Sequence, residues 1–382
     1  MDNLTHSLVG LTAAKAGLER LSPGATMLCV IAANSPDVDV AILLRGDRWT
    51  YLQHHRGITH SIVGVFALAL LLPLIFYGVD RLWAWYRQRP PQTRLRGLMS
   101  ASLIVTASHP ILDWTNNYGI RPFLPWNGEW TYLDLVYIVD PYMWLILGGA
   151  VFLLSAKTTG GKIIWGLVAA ALTALMIVSS RAGALPNRTL FVVFWLVAIG
   201  VLILMFRRGA ADRWGRKIAT GAFNIVVFYW VGLSAAQLLA HSRGVDYAEA
   251  IARGNGELIR RATVMPTLAN PFGWDLVFET TGATYRLHLS LLDSNAQPKV
   301  VRYEKPSGLL AAAMAKVSQE RSARVFLGFA RYPVAQLADP QCTTQTLVQM
   351  SDLRYTEPGS SRGTFTLNLP VDCRKNDQVG ER

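Results

Sequence analysis

Long apolar runs alternate with short basic stretches through the first 240 residues, and then the pattern stops. Uncharged runs fall at residues 62–79, 97–112, 141–156, 163–180, 189–206 and 218–240. Each is close to the roughly 17–25 residues that carry a helix across a bilayer, so the pattern predicts six spanning helices. Two earlier segments, 4–18 and 23–44, are also apolar but carry Lys15 in the first and Asp37 and Asp39 in the second. They read as helices of the same bundle with polar ends. From about Ser242 the period changes: residues 285–291 and 364–369 alternate apolar with polar, as half-buried strands do, and residues 308–316 suit a short helix. The expected fold is a mainly α membrane helical bundle of six to eight helices over residues 1–241. A C-terminal α+β extramembrane domain follows over residues 242–382.

Composition agrees with this picture and narrows it. The chain has 382 residues, 51% of them hydrophobic and 16% charged, with a mean hydropathy of +0.26, which is too apolar for disorder or an ordinary soluble domain. The net charge of +12 does not imply nucleic acid, because the basic residues cluster between apolar runs, where the positive-inside rule accounts for them. With eight alternating helices, fourteen Lys and Arg fall on the side of Lys15 and Arg20 and six on the side of Arg45 and Arg48. That predicts that the N-terminus and everything after Ala240 face the extracytoplasmic side. The start, Met1-Asp2-Asn3, has no basic region typical of a cleaved signal peptide, so the N-terminus is expected to be retained. Cys29, Cys342 and Cys373 make no C-x-x-C pair, so any metal must be held by His and carboxylate. Cys342 and Cys373 suit either a disulfide or two free thiols.

The chemistry gathers near the N-terminus. Five of the seven histidines (His6, His54, His55, His60 and His109) precede residue 110, and Asp2, Asp37, Asp39 and Asp113 lie among them. Ionisable groups on membrane helices are costly and usually functional. In an alternating topology all nine come out on one side. His109 and Asp113 are four apart and share a helical face, and Gly57 between His55 and His60 lets a loop fold both imidazoles inward. Imidazole with carboxylate suits one or more divalent ions, Zn first, Mn or Fe otherwise. Helix C-termini at Asp39 and Asp113 would add favourable negative charge.

The expected metal ligands are therefore Asp2, His6, Asp37, Asp39, His55, His60, His109 and Asp113. His54 is expected beside them, Arg56 as a clamp for an anionic substrate, and Asp134 and Asp140 as orienting carboxylates or a general base. Taken singly, each of these histidines is more simply a hydrogen-bonded helix end, and Asp2 equally suits an N-cap. Trp126, Trp130 and Tyr132 read as an interfacial belt, and His241 and His288 have no expected catalytic part. Thr5-His6-Ser7-Leu8-Val9-Gly10 and Thr59-His60-Ser61-Ile62-Val63-Gly64 are alike, which suggests a duplicated helical hairpin, testable by whether the helix ends correspond.

Several blocks of the chain resemble the YdjM-like, LexA-linked family of bacterial inner-membrane metal-dependent hydrolases. They are Met1-Asp2-x-x-Thr5-His6, Asn34-x-Pro36-Asp37-x-Asp39, His54-His55-Arg56-x-x-Thr59-His60-Ser61 and His109-Pro110-x-x-Asp113 with Tyr118-Gly119. The resemblance covers residues 1–153 well and the rest loosely. It implies a membrane-embedded metal hydrolase. The His-x-x-x-Asp arrangement is also similar to that of the zinc-dependent phospholipase C and P1-nuclease superfamily, which favours phosphoester chemistry. The expected function is hydrolysis of an ester, a phosphoester before others, with a lipid substrate at the membrane surface. The alternative is a metal-binding transporter or sensor without chemistry. A conduit would need carboxylates or His in the later spans, and residues 163–180, 189–206 and 218–240 contain none.

Overall fold

Helix α1 (Asn3–Ala16) starts where the Asp2 carboxylate accepts the Thr5 N–H at 3.0 Å, and stops at Gly17, whose φ of 150° suits only glycine. In this computed structural model, residues 1–181, 188–293, 298–341, 344–360 and 365–372 are described. They form two units, each treated by itself. The first comprises Met1–Asp39, Arg56–Ala235 and Pro266–Pro271; the second comprises Val40–His55, Ala236–Met265 and Phe272–Arg382.

After α1 come α2 (Ala25–Asn34), continued by a 3-10 segment (Ser35–Leu44), then α3 (Arg48–His54) and a 3-10 turn (Ile58–His60). Helices α4 (Ile62–Tyr86) and α5 (Leu95–Trp114) follow. The stretch expected as a span at 141–156 is interrupted: α6 (Pro141–Met143), a π turn (Trp144–Gly148) and α7 (Gly149–Ser155). Then come α8 (Thr159–Arg181), α9 (Arg188–Arg207), α10 (Ala210–Trp214) and the 38-residue α11 (Lys217–Gly254). That last helix runs well past Ala240, where the apolar pattern ends.

Among the described residues, five helices are long and apolar enough to cross a membrane: Ala25–Leu44, Ile62–Tyr86, Thr159–Ser179, Thr189–Arg207 and Lys217–Gly254. The expected span at 97–112 is a helix but not one of the five. Ser102, Thr106, His109 and Asp113 on its buried face lower its hydropathy, while Leu103, Ile104 and Ile111 on the other face are exposed. Small buried residues, Ala13, Ala14, Cys29, Ala32, Ala33 and Ala101, line the junction of α1, α2 and α5 and let these helices approach closely. A Cβ on Gly10 would lie 2.6 Å from the Cys29 carbonyl oxygen. A second apolar cluster, with Met143, Leu147 and Trp195 fully or nearly buried, joins α1, the interrupted stretch, α9 and α11.

The suggested duplication fails its own test. Thr5, His6 and Ser7 lie inside α1, whereas Thr59 and His60 occupy a 3-10 turn and Ser61 caps α4, accepting the Gly64 N–H at 3.2 Å. The partner helices differ too: α2 ends at Asn34, before Asp37, while α5 continues through Asp113.

Strands β1 (Ile259–Thr267), β2 (Asn270–Thr280), β3 (Ala283–Ser290) and β4 (Val301–Glu304) form one sheet in that order, all of it in the second unit except Pro266–Pro271, where β1 turns into β2. The pairs β2–β3 and β3–β4 are antiparallel. Trp274 pairs with Leu289 and Phe278 with Tyr285, and these side chains pack against Ala240 and Ala248 of the end of α11. Helices α12 (Gly308–Val317) and α13 (Arg321–Phe329) cover a second antiparallel sheet, β5 (Pro333–Leu337), β6 (Gln345–Asp352) and β7 (Thr366–Asp372). The expected strand at 285–291 falls on β3 and the short helix on α12. Most of the stretch at 364–369 falls on β7. Residue 364 and both Cys342 and Cys373 lie outside the described residues.

Candidate metal centre

Three pieces of backbone bring four side chains of the first unit to one point. The 3-10 segment after α2 carries Asp37. The 3-10 turn before α4 carries His60. The last turns of α5 carry His109 and Asp113, four residues apart and hence one above the other. One ligand atom from each of the four lies within 4.8 Å of all the others.

The separations are informative. His60 Nε2 is 3.3 Å from Asp37 Oδ1 and 3.3 Å from Asp113 Oδ2. His109 Nε2 is 3.6 Å from Asp37 Oδ1 and 3.4 Å from Asp113 Oδ2, and the two Nε2 atoms are 3.1 Å apart. Four ligands at about 2.1 Å from a central ion, tetrahedrally disposed, lie about 3.4 Å from one another. These five edges therefore fit a cation of that kind.

Protonation points the same way. His109 Nδ1 lies 2.6 Å from the Ala33 carbonyl oxygen, and a carbonyl only accepts. Nδ1 therefore donates, and in the neutral ring Nε2 turns a lone pair to the centre. His60 Nδ1 faces Asp39 Oδ2 at 3.4 Å and Thr59 Oγ1 at 3.1 Å. With its proton on that side, His60 also presents a lone pair inward. Two lone pairs and two carboxylates facing one another in a buried space repel unless a positive charge stands among them. The group can hold a metal ion.

Neighbouring residues surround this cage. His6 is buried, stacks on His109 with centroids 3.7 Å apart, and sets Nε2 3.4 Å from Asp113 Oδ1. Among the described residues neither ring nitrogen of His6 meets the geometry of a hydrogen bond, the approach to Asp113 included. Arg56, expected as a substrate clamp, is instead buried and engaged. Its guanidinium donates to Asp113 Oδ1 at 3.0 Å, Asn116 Oδ1 at 3.0 Å and the Gly119 carbonyl at 3.1 Å, and it lies 4.5 Å from the Tyr118 ring centroid. The Met1 amino group also meets Asp113.

The other expected site residues are placed as follows. Asp2 caps α1 and accepts from Thr5 Oγ1 at 2.6 Å and Trp144 Nε1 at 3.1 Å. Asp140 caps α6, accepting the Tyr142 and Met143 N–H groups at 2.8 and 3.2 Å and the Tyr229 hydroxyl at 2.8 Å. Asp134 is buried with a φ of 52°. His54 is exposed at the end of α3, and His55 stacks on Tyr51 with centroids 4.6 Å apart; both belong to the second unit.

The residue roles not anticipated are those of Thr59, the Ala33 carbonyl, Asn116 and Trp144. Thr59 stood in the repeated Thr-His-Ser block, so its signal was present. A backbone carbonyl such as that of Ala33 leaves none.

Comparison with known proteins supports the membrane setting. A protein of Bacillus subtilis (strain 168) described as uncharacterized protein YfhP is 28% identical over 155 residues, which is 38% of this chain and 43% of that protein. The inner membrane protein YbcI of Escherichia coli (strain K12) is 29% identical over 162 residues, 41% of this chain and 80% of that protein. The chain thus spans less than half the length of the first of these relatives and most of the second. No solved structure matches. With its apolar helices, the chain is a multi-pass membrane protein. Residues 1–184 match the model of the YdjM inner membrane protein family, and over that stretch the resemblance read from the sequence holds.

Proposed function

We propose that the protein is a membrane-bound metal-dependent hydrolase acting on an ester, with phosphoesters the favoured class, at the outer face of the inner membrane. The observation that carries this reading is the cage of Asp37, His60, His109 and Asp113, whose acceptor atoms stand 3.1–3.6 Å apart. A divalent ion held there, Zn by donor type with Mn or Fe as alternatives, would supply a polarised water near neutral pH. The remaining steps belong to the protein. His6, whose Nε2 lies 3.4 Å from Asp113 Oδ1, would be the group to take a proton from that water. Asp39 holds His60 in the tautomer that faces inward. Arg56 fixes the Asp113 carboxylate and offsets its charge in the buried site. The outer location rests on the distribution of Lys and Arg between the spans.

The test uses full-length protein in detergent. Metal content is measured by plasma mass spectrometry, and turnover is followed on phosphodiester and carboxylic ester panels with and without chelator. Wild type is expected to carry metal and to lose turnover on chelation. His6→Gln is expected to keep its metal and to lose about 100-fold or more in turnover, the scale of a general base. Bound metal with no turnover on any ester would turn the reading to a metal sensor.

A further inference from the structure

Between α4, α5 and the segment 120–131 of the first unit lies a cleft of about 430 Å³, within the size range of small-ligand sites. Phe66, Leu103, Ile111, Trp114 and Phe123 line it, and His60, a member of the metal cage, stands in its wall. Apart from His60, Trp114 and Thr131, every lining side chain is apolar. Several of these residues are also well exposed: Phe66 at 55%, Ile111 at 53% and Phe123 at 53%. They belong to, or adjoin, the membrane-spanning helix Ile62–Tyr86. The cleft therefore faces a medium already rich in apolar chains, and it leads from there to a single polar residue of the cage.

We propose that this cleft seats one acyl chain of a membrane glycerolipid, entering sideways from the bilayer, with the ester-bearing end of the lipid at His60. Three features support that occupant over a water-borne one. The walls offer almost no hydrogen-bonding group to a polar ligand. The mouth is formed by exposed aromatic and aliphatic side chains on a spanning helix and at the end of α5. The one cage residue in the wall, His60, marks the end of the cleft where the reacting group of a lipid would have to be. Because lipid tails are as apolar as the cleft itself, seating gains little hydrophobic energy over remaining in the bilayer. What it provides is orientation, which brings the head-group end within reach of the cage. The proposal rests on the hydrolase reading for the chemistry at the cage, but the seating of the chain can be measured without turnover.

The experiment photolyses full-length protein in detergent with a phosphatidylcholine that carries a diazirine in mid-chain, then maps the label by mass spectrometry. Label is expected on Phe66, Leu103 and Ile111. It is expected to fall about tenfold, the equivalent of ~1.4 kcal/mol, in Ala107→Trp, which fills the cleft without altering a cage residue and leaves metal content unchanged. Leu103→Trp serves the same purpose should Ala107→Trp not fold. Label spread evenly over the outward faces of α8 and α9, and insensitive to both substitutions, overturns the proposal. So does hydrolysis of a short, water-soluble phosphodiester as fast as that of the long-chain lipid, with both rates unchanged in Ala107→Trp; the hydrolase reading would survive that result. Cleft-specific label without turnover on any ester supports the seating and removes the hydrolase reading.

Discussion

Asp39 Oδ2 lies 3.4 Å from His60 Nδ1, and, as a second contact, it accepts the Arg56 N–H at 2.9 Å, with the Thr59 hydroxyl donating to it at 3.4 Å. The second contact holds Arg56 at a φ of 52°, a conformation that costs a non-glycine residue about 1 kcal/mol or more. Asp39→Asn keeps an oxygen for the Arg56 N–H but removes the charge that holds the His60 proton outward. Metal affinity is expected to fall about 10–100-fold, as for other residues that orient a ligating histidine, with helix content unchanged. Competition against a chromogenic chelator measures it, and unaltered affinity would remove Asp39 from its positioning role. The sequence singled out Asp37, Asp39, His60, His109 and Asp113 together but could not rank them. Which carboxylate faces the centre and which stands behind a histidine depends on 3-10 turns whose side-chain directions no helical period reports. His54 shows the same limit, for it stands in the most specific block of the chain and is exposed at the end of α3.

At the scale of elements, the site depends on how tightly one turn is wound. The 3-10 turn Ile58–His60 is folded onto the start of α4, so that the Ile58 carbonyl occupies the position a Cβ on residue 64 would take. Gly64→Ala therefore has to push the turn away and carry His60 with it. The expected result is protein with normal helical circular dichroism and substoichiometric metal, since one of four ligands is displaced; full metal loading would show that the turn can yield without moving His60. The long uniform helices were legible because apolar runs of that length have few alternatives in a membrane. Two elements misled for opposite reasons. α5 carries Ser, Thr, His and Asp on faces packed against other helices, so its composition understates its burial. Residues 141–156 are apolar enough for a span, but their helix, Pro141–Ser155, falls short of one and carries a π turn at Trp144–Gly148, and hydropathy is blind to where a helix stops or changes its hydrogen-bond register.

For the whole molecule, the alternation at 285–291 marks a strand of the second unit, β3, yet β2 escaped notice because residues on both of its faces are buried and the alternation that marks a half-buried strand is missing. Its carboxylates give the unit a pH dependence. Burial acts to raise the Asp275 carboxyl, but the hydrogen bond from His288 and the charge of Arg286 outweigh it and hold it below the usual range. Lys305 and Arg261 do the same for Glu279 against its partial burial. Carboxylates with lowered folded values stabilise the unit above their unfolded values and lose that contribution as pH falls through the folded ones. Proteolysis of the unit should accelerate below about pH 4, and less steeply in Asp275→Asn; a variant with the wild-type acid profile would discount that carboxylate. The second unit also includes residues 40–55, so the chain leaves the first unit immediately after Asp39 and re-enters it at Arg56. Within the second unit that excursion is anchored: Trp49 meets Phe326 edge-on with centroids 6.5 Å apart, and Arg321 donates to Thr50 Oγ1 at 2.8 Å. Trp49→Ala is expected to free residues 40–55 from the apolar cluster of the second unit, because the ring that packs against Phe326 is lost, and to speed their cleavage in limited proteolysis about tenfold, the equivalent of ~1.4 kcal/mol. Cleavage at the wild-type rate would show that the Arg321 contact alone holds the excursion.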